Sequence, residues 1–172
     1  NVGFFFIDGH GVPRDLVDAT FEASRRFHAL DEAEKMALKA NNHNIGYMGH
    51  GASISRASQV YEGERKTNLV AAFFLKRDLP NDHPDIVNNK RFRGANQWPE
   101  GLDGFRETTV AYMNAMEGLA KSMLPIYARA LDLADDFFAE GFEEPQYTLR
   151  LSHYPPAEAE DNQFGLAPHT DS

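Results

Sequence analysis

The 172-residue sequence contains no cysteine. This absence excludes disulfide-stapled folds, zinc sites with Cys ligands, iron–sulfur clusters and thiol nucleophiles. Long apolar runs are also missing, because the longest ones, residues 3–7 and 69–75, fall far short of the ~20 residues that a membrane-spanning helix needs. No signal peptide is visible at the start of the sequence. We therefore expect a cytoplasmic protein.

Basic residues are also few compared with acidic ones. The chain has 17 Lys and Arg residues against 26 Asp and Glu residues, which gives a formal net charge of −9. Binding to a phosphate backbone or to an anionic membrane surface requires clustered basic side chains. The composition therefore predicts neither a nucleic-acid partner nor a membrane partner. The 42% hydrophobic content is that of an ordinary globular protein, one domain or part of a larger one, and we expect a monomer.

The first third of the chain predicts a strand, two helices and a loop. The aromatic run from Gly3 to Asp8 is typical of a buried strand, and the glycine-rich segment after it is typical of a turn. Between residues 15 and 40 the apolar residues recur at helical spacing, and Asp31 with Glu34 forms a capping-box pattern for a second helix. Residues 41–58 are rich in Asn, Gly and Ser and predict a long loop.

The rest of the chain predicts two strands and one long helix. Leu69 to Leu75 is an apolar strand pattern, and residues 104–131 show helical periodicity that Pro125 should kink or interrupt. Residues 147–154 alternate as a strand. Leu149 and Leu151 share one side of this strand, and the other side carries Thr148, Arg150 and Ser152.

A His-Thr-Asp sequence lies near the end of the chain, with His169 and Asp171 two residues apart. In an extended strand these two side chains point to the same face, about 7 Å apart along the chain. They can therefore occupy adjacent positions on one metal ion, as in the 2-His-1-carboxylate site of non-haem Fe(II) enzymes. The pattern alone is weak, because His83 and Asp85 repeat it in a polar loop, where we interpret it as solvated surface.

Three stretches of sequence favour the His-x-Asp pattern at His169 over the one at His83 as the metal-binding one. GFFFIDGHGV (residues 3–12), LRLSHYPP (149–156) and GLAPHTDS (165–172) resemble, in the same order, segments of the Fe(II)/2-oxoglutarate-dependent oxygenase superfamily that includes isopenicillin N synthase and plant flavonoid oxidases. Weaker similarities cover residues 46–47, 72–74 and 96–99. Three matches in the family's order are far more specific than any one of them.

The resemblance implies roles for particular residues. His169 and Asp171 would be iron ligands, and Tyr154 would help to hold the 2-oxoglutarate carboxylate. Ser152 takes the place where plant members carry Asn beside that co-substrate. A core position with a satisfied hydroxyl is the alternative for Tyr154.

Two further residues are candidates for binding the substrate. Arg150 shares a strand side with Ser152 and could meet an anionic substrate or the co-substrate, a structural ion pair being the alternative. Tyr47, in the Asn- and Gly-rich loop, could close over a substrate.

The resemblance also implies a fold and a reaction. The fold is α+β, a double-stranded β-helix (jelly-roll) core preceded by helices, with a mostly helical region over residues 1–145 and the start of the core over 146–172. The reaction oxidises a small organic molecule, by hydroxylation or desaturation, with Fe(II), 2-oxoglutarate and O₂, and it releases succinate and CO₂.

The second iron-binding His and the family's Arg-x-Ser clamp for 2-oxoglutarate are not among these residues. We therefore expect a fragment that does not turn over alone. Two alternatives remain open at this point. One is an isopenicillin N synthase-like oxidase that does not use 2-oxoglutarate, and the other is a non-catalytic domain of the same fold.

Overall fold

A computed structural model of the chain describes residues 5–54, 66–158 and 160–169. Its elements in chain order are α1 (Arg14–His28), α2 (Glu32–Ala37), β1 (Gly46–Met48), β2 (Ala71–Lys76), α3 (Pro84–Val87), α4 (Phe105–Ala130), a 3-10 turn (Glu140–Phe142) and β3 (Thr148–His153). No helix in these ranges is long and apolar enough to cross a membrane.

Contacts between residues divide the chain into two units. The first contains Asn1–Ala23 and Asp103–Gln146, and therefore α4. The second contains Ser24–Leu102 and Tyr147–Ser172, and therefore all three strands. The division of the oxygenase between residues 145 and 146 stays a prediction, because it concerns the complete catalytic core.

The predicted pair of N-terminal helices is confirmed. Helix α1 carries Asp15 in its first turn and the basic residues Arg25, Arg26 and His28 in its last turn, charges that suit the helix dipole. At α2 the Glu34 carboxylate accepts a hydrogen bond from the backbone N–H of Asp31 at 3.1 Å, as the capping-box pattern predicts.

The long helix α4 is confirmed, and it continues through Pro125. Of the two predicted effects of this proline, the interruption is therefore wrong, and the kink stays a prediction. A proline inside a helix removes a single backbone hydrogen bond, here to the carbonyl of Lys121, and the turns on either side keep theirs. Phe105, Thr109 and Met113 are buried on the N-terminal half of α4, and the buried Ala128 lies near its C-terminal end.

The three strands form one antiparallel sheet in the order β1-β2-β3. Residues directly opposite each other across an antiparallel pair point to the same face. The pairs Phe73↔Leu151 and Tyr47↔Phe73 therefore belong to one face, which we call the helix face. The pairs Phe74↔Arg150 and Ala72↔Ser152 belong to the other, which we call the site face. The predicted alternation of residues 147–154 is confirmed by this register.

The helix face is covered by the C-terminal end of α1. Phe27 is fully buried, and its ring centroid lies 4.2 Å from that of Phe73 and 5.9 Å from that of Tyr47. Next to it the ring of His28 stacks on that of His153 at 5.0 Å. Every residue of β2 is buried. The core of this unit is therefore the β2 strand with Phe27 against it.

The aromatic run near the start of the chain does not form the predicted strand. Phe5, Phe6 and Ile7 are not in a strand, and their exposed fractions are 64%, 93% and 41%. A strand requires a hydrogen-bonded neighbour, and the sheet of the described residues includes none for that run. Residues 1–4 of the same run lie outside the described residues.

The stretch predicted as a long loop, residues 41–58, contains β1. Tyr47 exchanges backbone hydrogen bonds with Leu38 and Ala40, and the Gln97 side chain donates to the Ile45 carbonyl at 2.8 Å. Gly46, at φ +116°, is required here, because a Cβ would collide with the carbonyl of Leu38 and the side chain of Gln97. These contacts come from distant residues, so the local composition did not indicate them.

His28 connects α1 to β3 and predicts a pH-dependent stability. Its Nε2 lies 3.0 Å from the Leu151 carbonyl, which can only accept, so Nε2 donates and the buried Nδ1 is unprotonated and has no partner among the described residues. Burial lowers the pKa of His28 to about 4, outweighing the Leu151 hydrogen bond, which raises it. The unfolded chain takes up this proton near the ordinary pKa of ~6.5, so stability is lost as the pH falls from there to about 4.

We expect the loss to amount to about 1–2 kcal/mol, because the ring is only partly buried and solvent screens its charge. Urea unfolding of the full-length protein between pH 7 and pH 4 measures it. His28→Gln should flatten that dependence by the same amount. His50→Gln, at an exposed turn position, is the control. Equal pH profiles for wild type and His28→Gln would contradict the prediction.

Candidate functional site

Strand β3 presents three polar side chains on the site face, those of Thr148, Arg150 and Ser152. Arg150 and Ser152 lie there two residues apart, as the spacing predicts. The Arg150 guanidinium lies 5.6 Å from the ring centroid of Phe74, its opposite residue, and its Nε is buried without a hydrogen-bond partner in the described part of the chain. Ser152 is exposed. Both side chains therefore keep hydrogen-bonding capacity for a ligand.

Tyr154 follows the end of β3 and is 51% exposed. Its ring lies against Gly165, where a Cβ would stand 2.9 Å from the Tyr154 Cδ1. Only glycine leaves room for the ring in this position. This contact places Tyr154 beside the segment that leads to His169. The choice between a co-substrate contact and a core position for Tyr154 stays a prediction.

The segment from Glu160 to His169 is held by residues just before β2. The Lys66 ammonium pairs with the Glu160 carboxylate at 2.8 Å, and the Leu69 N–H donates to the Phe164 carbonyl at 2.8 Å. Two further hydrogen bonds join the same stretches, from Lys66 to the Asp161 carbonyl and from Gln163 to the Thr67 carbonyl.

Asn68 is the buried centre of this anchorage. Its exposed fraction is 3%, and its Oδ1 accepts from the backbone N–H of Ala167 at 2.9 Å. Its Nδ2 donates to the Ser53 hydroxyl at 3.2 Å, and its own N–H donates to the Ser53 carbonyl at 2.8 Å. The Asn68 amide therefore fixes the backbone two residues before His169.

His169 has a defined tautomer. Its Nδ1 lies 2.9 Å from the carbonyl of Ala167, which can only accept, so Nδ1 carries the proton. Nε2 is then the nitrogen with a lone pair, the arrangement typical of a metal-binding imidazole that is oriented by a backbone carbonyl. This geometry fits His169 as a ligand of Fe(II).

Asp171, the second predicted ligand, lies outside the described residues. Among the residues that the structure describes, no group of three or more His, Cys, Asp or Glu side chains could hold a metal ion. The observations therefore bear on His169 and its surroundings, and the role of Asp171 stays a prediction.

The other His-x-Asp copy has a structural role. His83 precedes α3, and its Nδ1 accepts from the backbone N–H of Asp85 at 3.2 Å. Asp85 in turn pairs with Lys90 at 3.3 Å and with Arg93 at 3.5 Å. These contacts cap a helix and hold a turn together. The prediction of a plain solvated surface at this position is therefore too simple.

Tyr47 is not part of this arrangement. It lies in β1 on the helix face, opposite to the face of Arg150, and is 2% exposed. Its hydroxyl donates to Glu32 at 3.3 Å, and burial, with the charge of Glu32, raises its pKa to about 12. The prediction of an open loop around Tyr47 is wrong, because the phenol packs against Phe27 in the core.

The sequence did not single out Asn68, which holds the segment of His169, or Lys76, which shares the site face with Arg150. Lys76 lies on the site face of β2, is 6% exposed and donates to the Thr148 hydroxyl at 2.5 Å. A polar residue directly before or at the end of an apolar strand was the available signal for both. That signal does not distinguish a buried polar residue from an ordinary strand end.

A separate groove of about 670 Å³ lies in the other unit. Its walls are the C-terminal part of α4 and the 3-10 turn, with Leu124, Pro125 and Phe142 among apolar residues and Asp135 and Glu140 among acidic ones. None of the predicted site residues borders it. Its size alone does not indicate chemistry.

Asn68→Ala is expected to destabilise the full-length protein by about 1–3 kcal/mol, because it leaves the Ala167 N–H and the Ser53 hydroxyl without their partner. The same substitution should weaken Fe(II) binding by roughly 10-fold, as losses of ligand-orienting groups do. Urea unfolding and a metal titration measure the two effects. Asn81→Ala, at an exposed turn position, is the control. Unchanged stability and unchanged metal affinity in Asn68→Ala would contradict the prediction.

The chain is similar to one family model and to several curated proteins. The model described as "non-haem dioxygenase in morphine synthesis N-terminal" matches residues 1–101. The 2-oxoglutarate-Fe(II) type oxidoreductase hxnY from Emericella nidulans is 34% identical over 98% of this chain and 49% of its own length. Clavatol oxidase claD from Penicillium crustosum is 32% identical over 99% of this chain and 54% of its own length. The chain thus spans about half the length of these relatives.

Solved structures were compared as well. A 2OG-Fe(II) oxygenase family protein from Caulobacter crescentus aligns with a TM-score of 0.69 and 25% identity, over 86% of this chain and 45% of that one. A full-length Neurospora crassa protein, solved in complex with alpha-KG and thymine, aligns with a TM-score of 0.65 and 19% identity, over 84% of this chain and 44% of that one. At the latter identity the likeness shows the fold alone.

Proposed function

Because the chain belongs to the Fe(II)/2-oxoglutarate-dependent oxygenase superfamily, of which it carries the N-terminal region, we propose that the complete protein is an oxygenase that oxidises a small organic molecule. The observation that carries this proposal is the arrangement of His169. Its imidazole has a fixed tautomer in a segment anchored by Asn68 and packed against Tyr154. As the sequence predicts, we place the protein in the cytoplasm as a monomer.

His169 and Asp171 would hold the iron, with the third ligand supplied by the rest of the protein. His169 offers Nε2, since Nδ1 donates to the Ala167 carbonyl. When bound, the iron and 2-oxoglutarate supply the oxidation of a C–H bond by O₂, with release of succinate and CO₂. What the protein contributes is orientation of the substrate and exclusion of competing reactions.

Tyr154 and Ser152 would bind 2-oxoglutarate. The Tyr154 hydroxyl and the Ser152 hydroxyl are donors, each on an exposed side chain without a hydrogen-bond partner among the described residues. Hydrogen bonds from hydroxyls to a carboxylate are short and strong. We place Arg150, one strand position further along the same face, on the substrate side of the co-substrate.

An anaerobic titration of the full-length protein with Fe(II) and 2-oxoglutarate tests the proposal. We expect the weak visible charge-transfer band of an iron–2-oxoglutarate chelate, and succinate on admission of air. Iron binding with no band would favour an isopenicillin N synthase-like oxidase that does not use 2-oxoglutarate. No iron binding at all would favour a non-catalytic domain. Either result, without succinate, would refute the assignment as a 2-oxoglutarate-dependent oxygenase.

Tyr154→Phe is expected to raise the KM for 2-oxoglutarate roughly 10-fold, the effect of losing one hydrogen bond to a charged group. The Fe(II) affinity should stay the same, because the hydroxyl is not placed on the metal. Steady-state kinetics at varied 2-oxoglutarate measure the change. Tyr127→Phe is the matched control, since Tyr127 is also about half exposed, at 45%, but lies on α4. Equal KM values for the two variants would contradict the role of Tyr154.

A further inference from the structure

Arg150 is a partly buried cation without an acidic partner among the described residues. Its guanidinium lies over the ring of Phe74, at 5.6 Å from the ring centroid, and it forms no ion pair among the described residues. Its Nε is buried and makes no hydrogen bond to any residue that the structure describes. Buried donors are almost always satisfied in native proteins, and a buried charge is costly unless it is paired. The guanidinium can therefore donate hydrogen bonds to an acceptor that the described part of the chain does not contain.

Lys76 adds a second cation on the same face. The β2–β3 register sets Lys76 opposite Thr148 and Arg150 opposite Phe74, so the two basic residues are diagonal neighbours. Long side chains at diagonal positions of an antiparallel pair can reach each other's surroundings. Lys76 is 6% exposed, and burial lowers its pKa. Its Nζ contacts the Thr148 hydroxyl and the Phe92 ring, and no carboxylate among the described residues.

The chain has enough acidic residues to provide partners for Arg150 and Lys76. Acidic residues outnumber basic ones by 26 to 17. Other basic side chains have acidic partners, such as Lys121 with Glu117 at 2.7 Å and Lys66 with Glu160 at 2.8 Å. Arg150 and Lys76 have no carboxylate partner among the described residues. A shortage of acidic residues is not the reason, because the chain has more acidic than basic residues. The acceptor that suits a guanidinium is a planar carboxylate, which it can bind through two parallel hydrogen bonds.

We infer that the substrate of this oxygenase carries a carboxylate group, which binds to the Arg150 guanidinium with Lys76 supplying a second positive charge. The inference rests on the proposed function and specifies its substrate class. From Arg150 the chain runs through Ser152 to the end of β3 and then to Tyr154, about 13 Å along an extended chain. A carboxylate at Arg150 anchors one end of the substrate and leaves the other end directed toward the metal segment.

Binding of matched probes to the full-length protein tests this inference. Benzoate and benzamide have the same shape and differ in charge. In the presence of Fe(II) and 2-oxoglutarate without O₂, we expect benzoate to bind wild type at least roughly 10-fold more tightly than benzamide. Arg150→Gln should remove this preference, Lys76→Met should reduce it, and Arg150→Lys should retain part of it. Calorimetry measures the affinities.

Arg91→Gln is the matched control. Arg91 also stacks on an aromatic ring, that of Phe92 at 4.6 Å, but it is exposed. The substitution changes the net charge by the same amount as Arg150→Gln, and we expect it to leave the benzoate preference intact. An equal loss in both variants would show a general charge effect and would overturn the inference.

Three further results would overturn it. Equal affinities for the two probes, or no binding of benzoate to wild type, would exclude a carboxylate site. A raised Kd for 2-oxoglutarate in Arg150→Gln, with benzoate binding unchanged, would assign the guanidinium to the co-substrate. A markedly lower urea midpoint of Arg150→Gln without any ligand would show that an acidic residue elsewhere in the full-length protein is the partner.

The experiment distinguishes an error in the proposed oxygenase function from an error in the proposed substrate class. If the proposed oxygenase function is wrong, wild type shows no charge-transfer band with Fe(II) and 2-oxoglutarate, whatever benzoate does. If only the substrate class is wrong, the band is present in wild type and in Arg150→Gln alike, and neither protein distinguishes benzoate from benzamide.

Discussion

His169→Ala is expected to lower the Fe(II) affinity of the full-length protein by a factor on the order of 100 or more, and to abolish the charge-transfer band with 2-oxoglutarate. The factor is a lower bound, because loss of a group that only orients a metal ligand already costs roughly 10–100-fold. The imidazole Nδ1 donates to the Ala167 carbonyl, so Nε2 is the nitrogen that would bind the iron. Alanine removes that nitrogen and leaves the anchored backbone in place.

The control for this prediction is contained in the sequence. His83→Ala changes the other His-x-Asp copy, whose imidazole caps α3 by accepting from the Asp85 N–H. We expect His83→Ala to cost about 1 kcal/mol of stability, as loss of a helix cap does, and to leave iron binding unchanged. Equal losses of iron binding in the two variants would show that the choice between the two copies is wrong.

Phe27→Ala is expected to destabilise the full-length protein by about 3–5 kcal/mol, the usual range for a buried phenylalanine. Phe27 has no exposed surface, and its ring packs on Phe73 and Tyr47. Its removal leaves a cavity between α1 and the helix face of the sheet, and the fully buried Phe73 cannot move to fill it without leaving its strand position. Urea unfolding at neutral pH measures the loss.

Phe21→Ala provides the comparison on the same helix. Phe21 is 63% exposed, so its truncation removes little buried area and should change the unfolding free energy by less than about 0.5 kcal/mol. Similar losses in the two variants would mean that the rest of the full-length protein covers Phe21 as completely as α1 and the sheet cover Phe27. The predicted contrast between the two positions would then be wrong.

The two faces of strand β3 could be predicted from the periodicity of the sequence. The alternation in residues 147–154 predicted that Leu149 and Leu151 oppose Arg150 and Ser152, and the register with β2 confirms it. A strand's two-residue period follows from backbone geometry alone, so it can be read from the sequence. The same holds for α1, α2 and α4, whose apolar spacing and capping residues are local signals.

The structure of residues 5–7 could not be predicted from local sequence patterns. Phe5, Phe6 and Ile7 have a strong strand propensity but are exposed and irregular. Strand propensity becomes a strand only when a neighbour supplies hydrogen bonds, and that neighbour is a matter of topology. Strand β1 is the converse case, since a polar, glycine-rich stretch forms a strand because distant residues, Leu38 and Gln97 among them, supply the partners.

The lack of cysteine and the shortage of basic residues are properties of the sequence itself, and the ordered motifs indicated the family to which the chain belongs. The sequence also named His169, because a ligand's type and spacing are local properties. Only the tertiary structure decided that Asn68 and Gly165 hold the segment of His169, that Tyr47 belongs to the core, and that Arg150 has no acidic partner among the described residues. Each of these depends on contacts between residues that are eleven or more positions apart, which no local pattern encodes.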